Sequence, residues 1–171
     1  MHHTVLGLLR GTGACAAIWI ASIAIGPAQA EVAWDRIANV ESAATQIGQI
    51  QSQAGIEQAF KFISACYKTH GLASAYSKAF EGCIAQDYIV SRALVQIYER
   101  VPPDALAKMN APTPQQIDQS FQNRAAAAFA QYHRPPEDAL ALRGIVEARG
   151  IPVFFKLVFP SKPSTLEPSE K

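Results

Sequence analysis

The chain has almost no surplus of charge. Its 15 Lys and Arg face 14 Asp and Glu, a formal net charge of +1 at pH 7 over 171 residues. Domains that bind nucleic acid carry a basic surplus or stripe to meet phosphate, and that class is excluded here. Cysteine is scarce as well. Of the three, Cys15, Cys66 and Cys83, no two are spaced as Cys-x-x-Cys, which removes a thioredoxin-like redox centre and a haem attachment site. The sequence also lacks Gly-x-Ser-x-Gly, His-Glu-x-x-His and a P-loop. An enzyme would have to be assembled from scattered residues, so no catalytic residue, metal or cofactor is assigned. Solenoid-length repeats are absent too.

What is there begins with an export signal. Residues 1 to 10 form a short n-region with one firm positive charge, Arg10. An uncharged stretch rich in Ala and Ile follows to Ile25, then the helix breaker Gly26-Pro27 and the small residues of Ala28-Gln29-Ala30. This pattern predicts a cleavable secretory signal peptide over residues 1 to 30, cut after Ala30, and delivery to the periplasm of a Gram-negative-type cell. A retained anchor is the weaker alternative, because a bilayer span takes about 20 apolar residues. No stable membrane anchor is therefore expected after cleavage. Lipoprotein processing at Cys15 is weaker still, with Thr12 rather than Leu three residues before it. Without the signal, which holds Arg10 as its single charge, basic and acidic residues balance at 14 each in a chain of 141 residues. That length suits one domain with a single core. In an oxidising compartment the remaining pair, Cys66 and Cys83, predicts a disulfide, and closing a loop of this length stabilises the fold by roughly 3 kcal/mol.

Apolar residues at Trp34, Ile37, Val40, Ala44, Ile47 and Ile50 mark one face of an amphipathic helix over residues 34 to 53. Gly55 marks a bend. A second helix is predicted over residues 56 to 70, with Ile56, Phe60, Ile63 and Tyr67 on one stripe. Residues 73 to 80 read as a short helix or turn. The strongest helix is predicted over residues 83 to 100, its broad apolar arc holding Ile84, Tyr88, Leu94 and Val95, with Glu81, Gln86 and Arg92 on the opposite side. Such an arc belongs to a central helix with several neighbours. Pro102-Pro103 ends it, and residues 104 to 109 supply one further turn. Thr113-Pro114-Gln115-Gln116 opens another helix, with Thr as cap, Pro in the first turn and Gln closing a capping box. A last helix is expected over residues 137 to 149, stopped by Gly150. Residues 151 to 159 read as a single β-prone extended segment, and 160 to 171 as a disordered tail. The expected fold is all-α: a compact bundle of four to five helices over residues 31 to 159, with one disulfide and one C-terminal extended segment.

Three places could carry function. Cys66 with His70, and Cys83 with Asp87, lie one helical turn apart, so four ligands could in principle surround zinc. These spacings match no metal motif, and exported thiols oxidise first, so the disulfide is preferred. Asp87 lies inside the apolar arc with Ser91 one turn on. A buried carboxylate needs a cation or several donors, and His70, Lys68, Arg124 and His133 are the candidates. It is read as a hydrogen-bonding post between helices or as a ligand-binding carboxylate. His133 and Arg134 sit at a helix end, where the dipole accounts for both. Finally, Val153, Phe154, Phe155, Leu157 and Phe159 form an apolar strand with no partner of its own. It is expected to complete the core from a groove, to pair with a short strand elsewhere in the same chain, or to add to a partner's sheet edge.

The leading expectation is an exported helical subunit or adaptor that binds a protein partner. A small-ligand carrier with a cavity near Asp87, lined by Phe60, Tyr67, Tyr88 and Tyr98, is the second. A hydrolase or metal enzyme built around His70 and Asp87 is the third.

Overall fold

The computed structural model describes residues 32 to 160. The signal peptide predicted over residues 1 to 30, with Cys15, and the tail predicted beyond Pro160 lie outside the described residues. Within them the chain is all-α, with no strand. The elements are α1 (Arg36–His70), α2 (Lys78–Tyr98), α3 (Pro103–Lys108), α4 (Pro114–Gln131), α5 (Pro136–Ile145), a π-helical turn (Val146–Gly150) and α6 (Ile151–Val158). No described helix is long and apolar enough to cross a membrane.

The Asp35 side chain caps α1 by accepting from the Ala38 amide at 3.1 Å. The predicted bend at Gly55 is present: its φ of 81° and ψ of 177° interrupt the helical geometry. No side chain or backbone closes in on Gly55, so the glycine is there for its φ rather than for space. Before the break Val40, Ala44 and Ile47 are buried; after it Ala59 and Ile63 are.

α2 begins five residues earlier than predicted. The Ser77 side chain accepts from the Phe80 amide at 3.1 Å and starts the helix there. From Phe80 to Ser91 every residue of α2 is buried, including Glu81, Gln86 and Asp87. The expectation that Glu81 and Gln86 face solvent is therefore corrected. α1 covers one side of α2, α4 another, and the π-helical turn a third, so no polar side is left over. The Cys66 and Cys83 sulfurs lie at bonding distance, their Cα atoms 5.7 Å apart, and tie the end of α1 to the start of α2. α4 opens with the predicted capping box, Thr113 and Gln116 bonding each other's amides at 3.2 and 2.8 Å.

The C-terminal segment overturns the extended reading. Gly150 does not stop the preceding helix; it stays right-handed at φ −73°, and the chain runs through the π-helical turn into α6. Gly150 serves a close approach instead. A Cβ there would lie 3.0 Å from Val40 and 3.2 Å from Ile89. The ring of Pro152 cannot donate and crowds the carbonyl four residues back, which falls inside the π-helical turn that relieves it. A run of apolar residues on a helix with neighbours on several sides has the same look as a buried strand, and tertiary packing overrides β propensity. Phe154 is fully buried, and Val153, Phe155 and Leu157 are half-buried. Leu157 packs on Gly48, where a Cβ would come within 3.0 Å of it.

Candidate functional site

Asp87 is 2% exposed and joins three helices. From α4, Arg124 grips it with two parallel bonds: Nε donates to Oδ2 at 2.8 Å and Nη2 to Oδ1 at 2.7 Å. From α1, the Tyr67 hydroxyl donates to Oδ2 at 3.1 Å; from α2 itself, the Ser91 hydroxyl donates to Oδ1 at 3.3 Å. Of the four candidate cations, Arg124 is the partner. Its hydrogen bonds to Asp87 raise its already high pKa, against the opposing pull of burial. Burial first, then the Asp87 charge and hydrogen bond, push the Tyr67 hydroxyl far above the ordinary tyrosine range. These groups form a braced network rather than an acid–base pair.

His70 is not among the partners of Asp87. It stands half-buried at the end of α1, where its carbonyl accepts weakly from the Tyr132 hydroxyl at 3.5 Å. The four-ligand zinc alternative is not assembled, since the two sulfurs are joined to each other. Among the described residues no group of three or more His, Cys, Asp and Glu side chains is placed to hold a metal. His133 lies just past α4 with a positive φ of 52°.

Space opens beside Asp87. α1 and α4 both pack on α2 but hardly touch each other, and the gap between them holds three adjoining clefts that share Arg124. The middle one, of about 420 Å³, is lined by Phe60, Ser64, Tyr67 and Lys68 beside Asp87. One neighbour, of about 470 Å³, reaches Leu72, Phe80 and Gln131; the other, of about 360 Å³, reaches Leu94, Tyr98 and Gln116. From Gln116 to Gln131 along α4, this trough runs about 22 Å at the helical rise per residue. α2 forms its floor. The cavity expected near Asp87 is thus an open trough, with Phe60, Tyr67 and Tyr98 on it. Tyr88 is not. It lies across α2 in a separate apolar cleft of about 190 Å³ with Phe121, Leu140 and Arg143. There its hydroxyl donates to Glu147, and Arg143 sits 5.7 Å above its ring.

A second buried carboxylate was not foreseen. Glu81 is fully buried, with Trp34 Nε1 donating at 2.9 Å, Asn39 Nδ2 at 3.4 Å, the Tyr76 hydroxyl at 3.1 Å and Arg36 paired at 2.9 Å. It pins the entry of α1 and the loop before α2 to the core. Burial first, then the Glu81 charge and hydrogen bond, push the Tyr76 hydroxyl far up. Its sequence signal was Ser77: starting α2 there places Glu81 in the first turn, among aromatic neighbours. Val153 to Phe159, expected as a partner strand, is helical; Phe154 is fully buried, Val153, Phe155 and Leu157 are half-buried, and Lys156 and Phe159, the latter 53% exposed, face outward. Compared with protein-family models, curated proteins and solved structures, the chain matches none.

Proposed function

We propose that this chain is an exported, compact helical bundle that binds a segment of a protein partner in the periplasm, and that the seat is the trough between residues 56–70 and α4. The observation that carries this reading is the trough itself, open along some 22 Å, apolar on its walls and bridged midway by a fixed Arg124. Its length suits about seven residues of extended chain. Helical walls that face each other across a gap are a recurring way to hold a peptide. The segment Val153 to Phe159, expected earlier as a partner strand, has no such role in this proposal.

The test is site-specific photo-crosslinking in intact cells. A photoreactive residue at Phe60 or Gln131 is expected to trap one defined protein, identified by mass spectrometry. The same residue at Glu137, on α5, is expected to trap none. Recovery of monomer alone from the trough positions rejects the reading. Intact mass of the periplasmic form, before and after reduction and alkylation, checks cleavage after Ala30 and the state of the two thiols. A second reading, a carrier for a small apolar molecule, is favoured by the separate cleft at Tyr88. It predicts a co-purified ligand in native mass spectrometry.

A further inference from the structure

We infer that the segment seated in the trough carries an internal acidic residue with apolar residues on both sides, and that its carboxylate docks on Arg124 and Lys68. This rests on the trough being the partner's seat. The charge of the trough points to it. Its ionisable lining is Tyr67, Tyr98, Lys68, Asp87 and Arg124, and of these only Lys68, Asp87 and Arg124 carry charge at neutral pH. Asp87 and Arg124 cancel each other, while Lys68 is exposed and has no ion-pair partner among the described residues. One positive charge is left over.

Arg124 adds direction. A guanidinium has five N–H donors. Two go to Asp87 and one to Ser120, leaving two unfilled among the described residues. The side chain is 43% exposed, whereas the Asp87 behind it is 2% exposed. The buried carboxylate braces the arginine from beneath and fixes its free donors toward the trough. A carboxylate arriving there meets a preorganised fork with little rotamer entropy left to lose, and a second cation one α1 turn away from Ser64.

The clefts decide between a side-chain carboxylate and a chain terminus. Apolar space continues on both sides of Arg124, toward Leu72 and Phe80 one way and toward Leu94 and Ile117 the other. A terminal carboxylate would halt at the arginine and leave one arm of the trough empty. A chain that passes through fills both and presents an Asp or Glu at the crossing.

The experiment selects random nonapeptides on the disulfide-bonded protein, displayed either between Gly-Ser linkers or with a free C-terminus. The internal library is expected to enrich Asp or Glu flanked on both sides by Leu, Ile, Val or Phe. Replacing that acid by its amide in a selected peptide, or Lys68→Glu in the protein, is expected to weaken binding at least about tenfold. Lys68 is exposed, so its variant keeps the fold, checked by an unchanged thermal midpoint. Enrichment of apolar peptides without acidic preference, or of free C-termini alone, overturns the inference and leaves the trough reading standing. Absence of enriched peptides, or peptides whose binding survives Ser64→Trp, overturns the trough reading itself.

Discussion

Asp87 and Arg124 differ in what each leaves behind when removed. Arg124→Ala strands a carboxylate in the interior with only two hydroxyl donors, and is expected to cost about 3 kcal/mol. Asp87→Asn leaves a neutral amide inside and a guanidinium that can turn to water, and is expected to cost about 1 kcal/mol. Urea unfolding of both variants checks the order; the reverse order would mean that Asp87 is not the desolvated member of the pair. The tyrosines give a pH signature. Burial, the hydrogen bond to Glu147 and the Glu147 charge push the Tyr88 hydroxyl up to about 12, and Tyr67 is raised as well. A group whose folded pKa is raised contributes its full share below the unfolded value, about 10 for tyrosine. Above that the unfolded chain ionises first, so stability falls with rising pH from about 10 toward 12. Near-ultraviolet titration is expected to show Tyr67, Tyr76 and Tyr88 ionising only as helical circular dichroism is lost. Complete ionisation of all five tyrosines of the chain before that loss would contradict it.

At the scale of elements, α6 belongs to the core. Phe154→Ala removes a ring that is 0% exposed and is expected to cost about 4 kcal/mol, read from the urea midpoint. Phe159→Ala, at the half-exposed end, is expected to change little, within about 0.5 kcal/mol. How far these elements were legible in the sequence depends on the kind of signal. The cap at Thr113 and the bend at Gly55 are local chemistry and were readable. The segment after Gly150 was not, because an uninterrupted apolar run has no period, and the glycine that resembled a stop exists for Val40 and Ile89, over a hundred and some sixty residues earlier in the chain. Glu81 was hidden for a related reason. An amphipathic reading assumes a solvent side, and α2 has none from Phe80 to Ser91. Asp87 was found because Ile84 and Leu94 flank it on the same arc. Its partner could not be singled out, since periodicity orients a helix about its own axis but does not say which residue of another helix it meets.

At the scale of the whole molecule, two devices define residues 56–70, one wall of the trough. At one end the helix lapses at Gly55; near the other, the Cys66–Cys83 bridge fastens the segment to α2. The buried contacts between them are few, Ala59 and Ile63 being the buried apolar residues of the stretch. Hydrogen–deuterium exchange is expected to quicken over residues 56–70 on reduction while residues 36–54, held by α6, keep their protection. Uniform quickening of both stretches would show that the bridge supports the fold as a whole. The consequence is one of timing. Under the proposed reading of export and segment binding, a newly made chain in a reducing compartment would lack a fastened wall, and the seat would become receptive once the sulfurs join.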